Sequence, residues 1–306
     1  MTEKRNWPAY NKSLVERGSL FFCFDPKILE KKPEHKNKKG RPFVFCDEFI
    51  LMILMIKYQY SLGYRQTYGF LLSLMSMFKI TARIPHWTTL CSRARLLKVF
   101  LSKTEERKKL RGKKNLYIAI DATGLKFIGE HEWKCKVHGA GKRRQWRKLH
   151  VGVDVKSKKI MATEMTLSNV HDSQEFSNLL KQVNGPVESV ICDGAYDQKR
   201  CYDIVKLKGG RSVFQIRKNA RFWKNKNQKL IDCERNRHLS HIKKFGEEDW
   251  KKKENDHKRS IVENVFSRYK TIFGERMSSR EFQRQITETQ VKCALLNKMT
   301  ENYQAH

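Results

Sequence analysis

Three acidic residues stand where their types and surroundings could support chemistry. Asp121 closes the apolar run Leu116–Ile120, and Asp193 closes Val187–Cys192 at the head of Asp193-Gly194-Ala195-Tyr196-Asp197. An acid at the end of an apolar strand lies on the edge where a mixed α/β sheet gathers its ligands. The third, Glu263, belongs to an amphipathic segment starting near Asp256, in which Val262, Val265, Phe266, Tyr269 and Phe273 recur at helical spacing. With Val262 as the origin, helical phase places Arg259, Glu263 and Lys270 at about 60°, 100° and 80°. The three charges therefore share one stripe on the border of the buried face. Carboxylates are hard oxygen donors of the kind Mg²⁺ takes, and a neighbouring Arg or Lys can donate charge-assisted bonds to phosphate. Each part also has a plainer reading. Lone acids often end strands, and Arg259 with Glu263 equally spells an i,i+4 surface pair worth roughly 0.2–0.5 kcal/mol.

The elements that must position these residues follow from periodicity. Leu149–Val155 and Lys159–Leu167 read as neighbouring strands, and Asp172 caps a helix whose buried face is Phe176, Leu179, Leu180 and Val183. Val187–Cys192 is the next strand, a helix with Cys201, Ile204 and Val205 on one side follows, and Ser212–Ile216 is a further strand. Strands interleaved with helices make a mixed α/β order. Upstream the period is helical: Asp47 can cap a helix over Phe49–Tyr60, Tyr64–Phe78 resumes after Gly63, and a third helix begins at Thr88. The boundaries expected are a helical region over 1–112, a catalytic domain over 113–275 with a basic insertion at 218–255, and a C-terminal helix within 276–306.

Lys and Arg number 64 against 32 Asp and Glu, a formal charge of +32, while 39% of residues are hydrophobic. That apolar content excludes a disordered basic tail, and so large a self-repelling charge points to a polyanionic partner, DNA or RNA. Candidate contacts are Arg93, Arg95 and Lys98 on the third helix, Arg41 in Gly40-Arg41-Pro42, and Arg143, Arg144 and Arg147 in the basic stretch between Trp133 and Lys148. The third helix reads as the recognition helix of a helix-turn-helix, or as one member of an ordinary bundle. Gly-Arg-Pro suits a narrow minor groove or a solvated linker. The Trp133–Lys148 stretch suits phosphates with rings for stacking, or a hairpin whose tryptophans pack on the domain. The longest apolar run, Phe49–Ile56, stops at Lys57, too short to span a membrane. The first seven residues carry no export segment, and the spread cysteines fit a reducing, cytoplasmic setting. Cys233, His238 and His241 have a zinc-like spacing but lack a fourth ligand.

On these residues the chain resembles a bacterial insertion-sequence transposase of the D-D-E type. The features that carry the likeness are the run Ile118-Ala119-Ile120-Asp121-Ala122-Thr123-Gly124-Leu125-Lys126, the Asp193–Asp197 box, and Arg259, Glu263 and Lys270 separated by three and six residues. The match is closest to the insertion-sequence five family. It extends through Trp7–Phe24, Trp87–Arg95, Trp133–His150 and Arg280–Met299. One position departs: the family has a Tyr three residues before the Arg, where this chain has Asp256, an acid that could draw Arg259 into an ion pair. The resemblance implies an RNase H-like catalytic core preceded by an all-helical, helix-turn-helix-like N-terminal domain. It implies a catalytic, metal-binding triad of Asp121, Asp193 and Glu263 with Mg²⁺, or Mn²⁺ as a substitute, and Arg259 and Lys270 on DNA phosphates. The implied activity is cleavage at element ends and joining of the 3′ ends to target DNA. The implied partners are terminal inverted repeats, target DNA and further copies of the chain in the end-paired complex, with no membrane. A structure-specific nuclease on the same core, or a non-catalytic regulator descended from a transposase, are the competing readings.

Overall fold

The computed structural model describes residues 6–33, 42–99, 101, 115–127 and 146–304. These group into two compact units, one made of residues 1–100 with 272–306, the other of 101–271. The Arg41, Arg143 and Arg144 positions lie outside the described residues.

The first unit is all helical. It contains α1 (Trp7–Arg17), α2 (Asp47–Gln59), α3 (Tyr64–Met77), α4 (Trp87–Leu96) and the C-terminal helix Phe282–Gln304. Helix α2 is apolar on every side, and Ile50, Ile53, Leu54 and Ile56 are all buried, as a helix without a polar face must be. Its first turn carries Asp47 and Glu48, favourable to the helix dipole, but the cap is Cys46, whose Sγ accepts from the Phe49 amide. Helix α4 starts at Trp87, one residue before the expected Thr88, and is capped by His86. The C-terminal helix, expected from its position to follow the catalytic domain as a separate element, completes this unit. Val291 and Leu295 sit in the same core as α2, and Arg17 and Asn302 make hydrogen bonds that tie α1 to the helix. Among the described residues no helix is long and apolar enough to cross a membrane.

The second unit is built on a sheet of β1 (Leu116–Phe127), β2 (Trp146–Asp154), β3 (Ile160–Leu167), β4 (Val187–Cys192) and β5 (Arg211–Phe214), in the order β3-β2-β1-β4-β5. The first three strands are antiparallel, and β4 and β5 run parallel to β1. Helices α5 (Asp172–Gln182) and α6 (Lys199–Leu207) bury Phe176, Leu179, Leu180 and Val205 against Ile118 and Ile120. This mixed sheet with its helices is an RNase H-like arrangement. Alternation along β1 then turns Ala119 and Asp121 to the opposite face. After β5 come α7 (Glu234–Phe245) and α8 (Glu247–Glu254), joined at Gly246 with φ 91°, a backbone only glycine takes without strain. A 3₁₀ turn, Asp256–Arg259, leads into α9 (Ser260–Phe273).

One expectation from pattern needs correction, and the zinc-like spacing, already short of a fourth ligand, is accounted for otherwise. Asp121 is not the last residue of its strand: β1 continues to Phe127 because its polar half is held in the ladder with β2 through Lys126 opposite Trp146. The zinc-like trio is not a ligand set. His238 accepts from the Trp250 indole in the core between α7 and α8, and His241 is engaged by Asp249 at 2.8 Å.

A buried charge cluster underlies the helical unit. Glu288 is 0% exposed and accepts from Lys292 Nζ at 2.7 Å, from the Ser278 amide and hydroxyl, and from the Ser279 amide. Burial pushes its carboxyl up, but Lys292 and the serine donors outweigh this and hold it below the usual range. Buried Lys57 is lowered to about 8 by desolvation, which Glu288 partly offsets. Removing one partner of such a cluster strands the others. Glu288→Gln is therefore expected to destabilise the chain by about 3 kcal/mol in urea denaturation. A loss below about 1 kcal/mol would show that the two lysines do not depend on this carboxylate.

Candidate active site

The parallel pairing of β1 with β4 sets the geometry of the first two acids. Ile120 is in register with Cys192, so the next residues, Asp121 within β1 and Asp193 just past the end of β4, stand side by side. Strands in a sheet lie about 4.8 Å apart, which brings two carboxylates into mutual reach. Asp121 Oδ1 accepts from the Ala122 amide at 2.7 Å, and Asp193 Oδ1 accepts from the Ala195 amide at 3.0 Å. Asp193 thereby caps a short 3₁₀ turn, Gly194–Tyr196, anchored by buried Tyr196.

Glu263 arrives from α9, and Arg259 connects it to the strands. The Arg259 Nη1 atom is 3.5 Å from Asp121 Oδ2 and 3.2 Å from Glu263 Oε1. Arg259 itself lies in the 3₁₀ turn packed against β1 and β4 rather than on the α-helix. The expected stripe therefore bends at its start, and the bend brings the guanidinium between two acids. Lys270, half-buried, lies two turns beyond Glu263 in the last turn of α9. Asp256 does not divert Arg259: it is buried, and its Oδ2 accepts from Gln215 Nε2 at 2.8 Å.

The electrostatics of the cleft centre on Asp121. Its side chain is 21% exposed, and burial pushes its carboxyl up to about 6. The Ala122 amide and Arg259 pull the value down, while nearby Asp193 and Glu263 push it further up. Asp121 therefore feels both other acids, and Arg259 Nη1 lies between Asp121 and Glu263. Their oxygens are the donors a hard divalent cation takes, and pairs of them could share ions. Among the described residues, no three acids, histidines or cysteines are close enough to surround a single ion. In the conformation observed, Arg259 supplies the positive charge between Asp121 and Glu263.

The remaining candidates divide by exposure. Arg93, expected to face DNA, is a correction: it is 4% exposed, donates to the Phe45 carbonyl at 2.8 Å, pairs with Asp47 and lies over the Phe43 ring. Helical phase alone does not show which way a basic face turns, and Asp47 draws this one inward. Arg95 and Lys98 are exposed, Arg95 within 3.8 Å of Glu281. Arg147 is half-buried over Phe127, with its pKa lowered by desolvation. Two contacts to the Asp193 box have no local signal in the sequence. Arg235 from α7 forms a buried two-point pair with Asp197 at 2.6 and 3.1 Å, and Arg217 Nε donates to the Gly194 carbonyl at 3.0 Å.

A family model described as a transposase DDE domain matches residues 112–298, and a second model of the same description matches 15–130. Among solved structures, a cryo-EM structure of a piggyBac transposase synaptic complex with hairpin DNA aligns at 12% identity with a TM-score of 0.44. That alignment covers 95% of this chain and 75% of that one.

The raised Asp121 pKa has a measurable cost. A carboxyl with a folded pKa near 6 binds its proton more tightly folded than unfolded. Stability therefore falls as pH climbs from about 4 to about 6 and stays lower above that. Asp121→Asn removes this cost, so the metal-free variant should be more stable than the parent by about 2–3 kcal/mol at pH 7.5. The difference should vanish below about pH 4, where both side chains are neutral. Urea denaturation across that range reads it, and equal stability at pH 7.5 would refute the electrostatic picture of the cleft.

Proposed function

The chain belongs to the transposase DDE family, and from that premise we propose that it binds terminal inverted repeats, cleaves DNA at the element ends and joins the freed 3′ ends to target DNA. The observation that carries the reading is the convergence of Asp121 and Asp193 from adjacent parallel strands with Glu263, tied to Asp121 through Arg259. The residues that would hold Mg²⁺, or Mn²⁺ in its place, are these three acids. Two bound cations would activate water for cleavage and the 3′ hydroxyl for joining, and stabilise the leaving oxygen.

The protein's own part in this reading is to keep three carboxylates adjacent until they are needed. Asp193 is held by the turn it caps and Asp121 by its strand, so two of the acids are pre-oriented by backbone amides. Asp121 must be ionised to act as a ligand, so a cation would compete with its proton, and metal affinity should weaken as pH falls below about 6. Arg259 balances the acids in the free protein. With Asp121 and Glu263 holding cations, the Arg259 guanidinium would be free to reach the phosphates of the cut strand, and Lys270 would serve the same strand from further along α9. Arg95 on α4 and Lys98 just beyond its end are exposed and would serve end recognition in the helical unit. Joining two ends to one target calls for more than one copy of the chain.

The direct test supplies Mg²⁺, linear DNA carrying candidate terminal repeats and a supercoiled target, and looks for joined product. Cleavage without joining would instead make the protein a nuclease. Asp121→Asn, Asp193→Asn and Glu263→Gln are each expected to abolish both steps and leave end binding largely intact. A variant that keeps a tenth of the joining would remove its residue from the site.

Arg259→Ala separates the two roles given to that side chain. Without DNA it should bind Mn²⁺ more tightly than the parent by calorimetry, since a competing cation is gone. With pre-cleaved ends it should bind DNA more weakly. Unchanged Mn²⁺ affinity would sink the counter-charge role.

A further inference from the structure

The basic segment that follows β5 is built more firmly than a solvated loop requires. Between Arg217 and Ile231 there are six cations, Arg217, Lys218, Arg221, Lys224, Lys226 and Lys229, and no acidic residue. All six are exposed, and among the described residues none forms an ion pair. The tip is a defined turn. Lys224 bridges to Leu230, Asn225 Oδ1 accepts from the Asn227 and Lys229 amides, and Gln228 takes a positive φ of 58°. Lys224, Lys226 and Lys229 are therefore presented by an ordered backbone.

The base of this hairpin is bolted to the Asp193 box. Asn236, buried on α7, donates to the carbonyls of both Trp223 and Ile231 and accepts from the Trp223 amide, closing the hairpin from below. Arg235 pairs with Asp197, donates to the Arg221 carbonyl and lies under the Trp223 ring at 4.5 Å. Arg217 reaches back to the Gly194 carbonyl, one residue from Asp193. Burying an Arg–Asp pair costs desolvation that only good geometry offsets. Here that pair, with side chains 5% and 2% exposed, joins the hairpin to the loop that holds a site acid.

A rigidly mounted row of unpaired cations beside a site carboxylate suits a ligand with evenly repeated negative charge. We propose that the hairpin Arg217–Lys229 is a grip for DNA backbone phosphates, fixing the path of the strand beside the Asp193 box to which the hairpin is tied. Because the backbone that carries the cations is already ordered, binding forgoes little backbone entropy. The grip rests on the proposed action at Asp193, and its DNA can come from the element end or from the target.

The test uses the full chain with Lys224, Lys226 and Lys229 all replaced by alanine, none of them part of the acid cleft. A control replaces Lys158, Lys181 and Lys206, equally exposed lysines of the same unit, and so lowers the net charge equally. Affinity for a pre-cleaved repeat duplex and for a plain target duplex is measured over a range of salt. Each phosphate contact adds about 0.9 to the slope of log affinity against log salt. The hairpin variant should lose about 2–3 units of slope on at least one duplex, and the duplex affected names the source. The control should lose under about 1 unit. Unchanged slopes on both duplexes, or an equal loss in the control, overturn the grip. Absence of joining by the parent protein would instead sink the proposed function and leave these slopes readable.

Discussion

Carboxylates repel one another more strongly as they leave water, and three of them meet around one cleft in the second unit. At Asp121 burial is the main cause and the neighbouring acids add to it, so that its carboxyl is pushed up to about 6. The arrangement persists because opposing charge and amide dipoles are built in. Arg259 spans Asp121 and Glu263, while Ala122 and Ala195 offer backbone N–H groups to the two aspartates. The 3₁₀ turn before α9 owes its importance to this balance. A regular α-helix from Asp256 onward would keep Arg259 on the stripe that phase predicts, whereas the tighter turn against β1 and β4 sets it between the acids.

The same logic of fixed counter-charge recurs at two other places. Asp197 and Arg235 neutralise each other where the hairpin meets the Asp193 box. Glu288 answers Lys57 and Lys292 inside the helical unit. In each case a buried ion is acceptable because several hydrogen bonds converge on it; Arg235 and Asp197 join two elements, whereas Glu288 and Lys292 stand one turn apart on the C-terminal helix and reach beyond it through Ser278, Ser279 and the nearby charge of Lys57.

What could be read in the sequence, and what could not, follows from the range of the forces involved. Strand β4 is legible to the residue because turn formers, Gly185-Pro186 before it and Asp193-Gly194 after it, mark both ends. The acids Asp121, Asp193 and Glu263 were legible because apolar periodicity marks the strands and the helix that carry them. Strand β1 was read too short, since its outer half is polar and is kept extended only by pairing with β2. Arg93 was misread because its partner Asp47 lies 46 residues away, beyond any local pattern. The Arg235–Asp197 pair, 38 residues apart, leaves no spacing signature either. The place of the C-terminal helix was missed for the same reason: its burial is decided by α2, which comes more than two hundred residues earlier.

That helix gives the chain an unusual order of manufacture. The helical unit is started first and finished last, because Val291, Leu295 and Glu288 emerge from the ribosome only after the whole sheet unit. At about 5–20 residues per second, residues 101–271 take roughly ten to thirty seconds to synthesise. Throughout that interval the apolar surface of α2 and its buried Lys57 wait for the C-terminal helix, and the sheet unit gains its last residues only at the interval's end. A ribosome that stops between the end of the sheet unit and the C-terminal helix therefore releases a chain whose three acids are all present but whose helical unit cannot close. Completion of translation is in this sense a step in assembling the protein, and an unfinished copy is left exposed to chaperones and proteases through its N-terminal half.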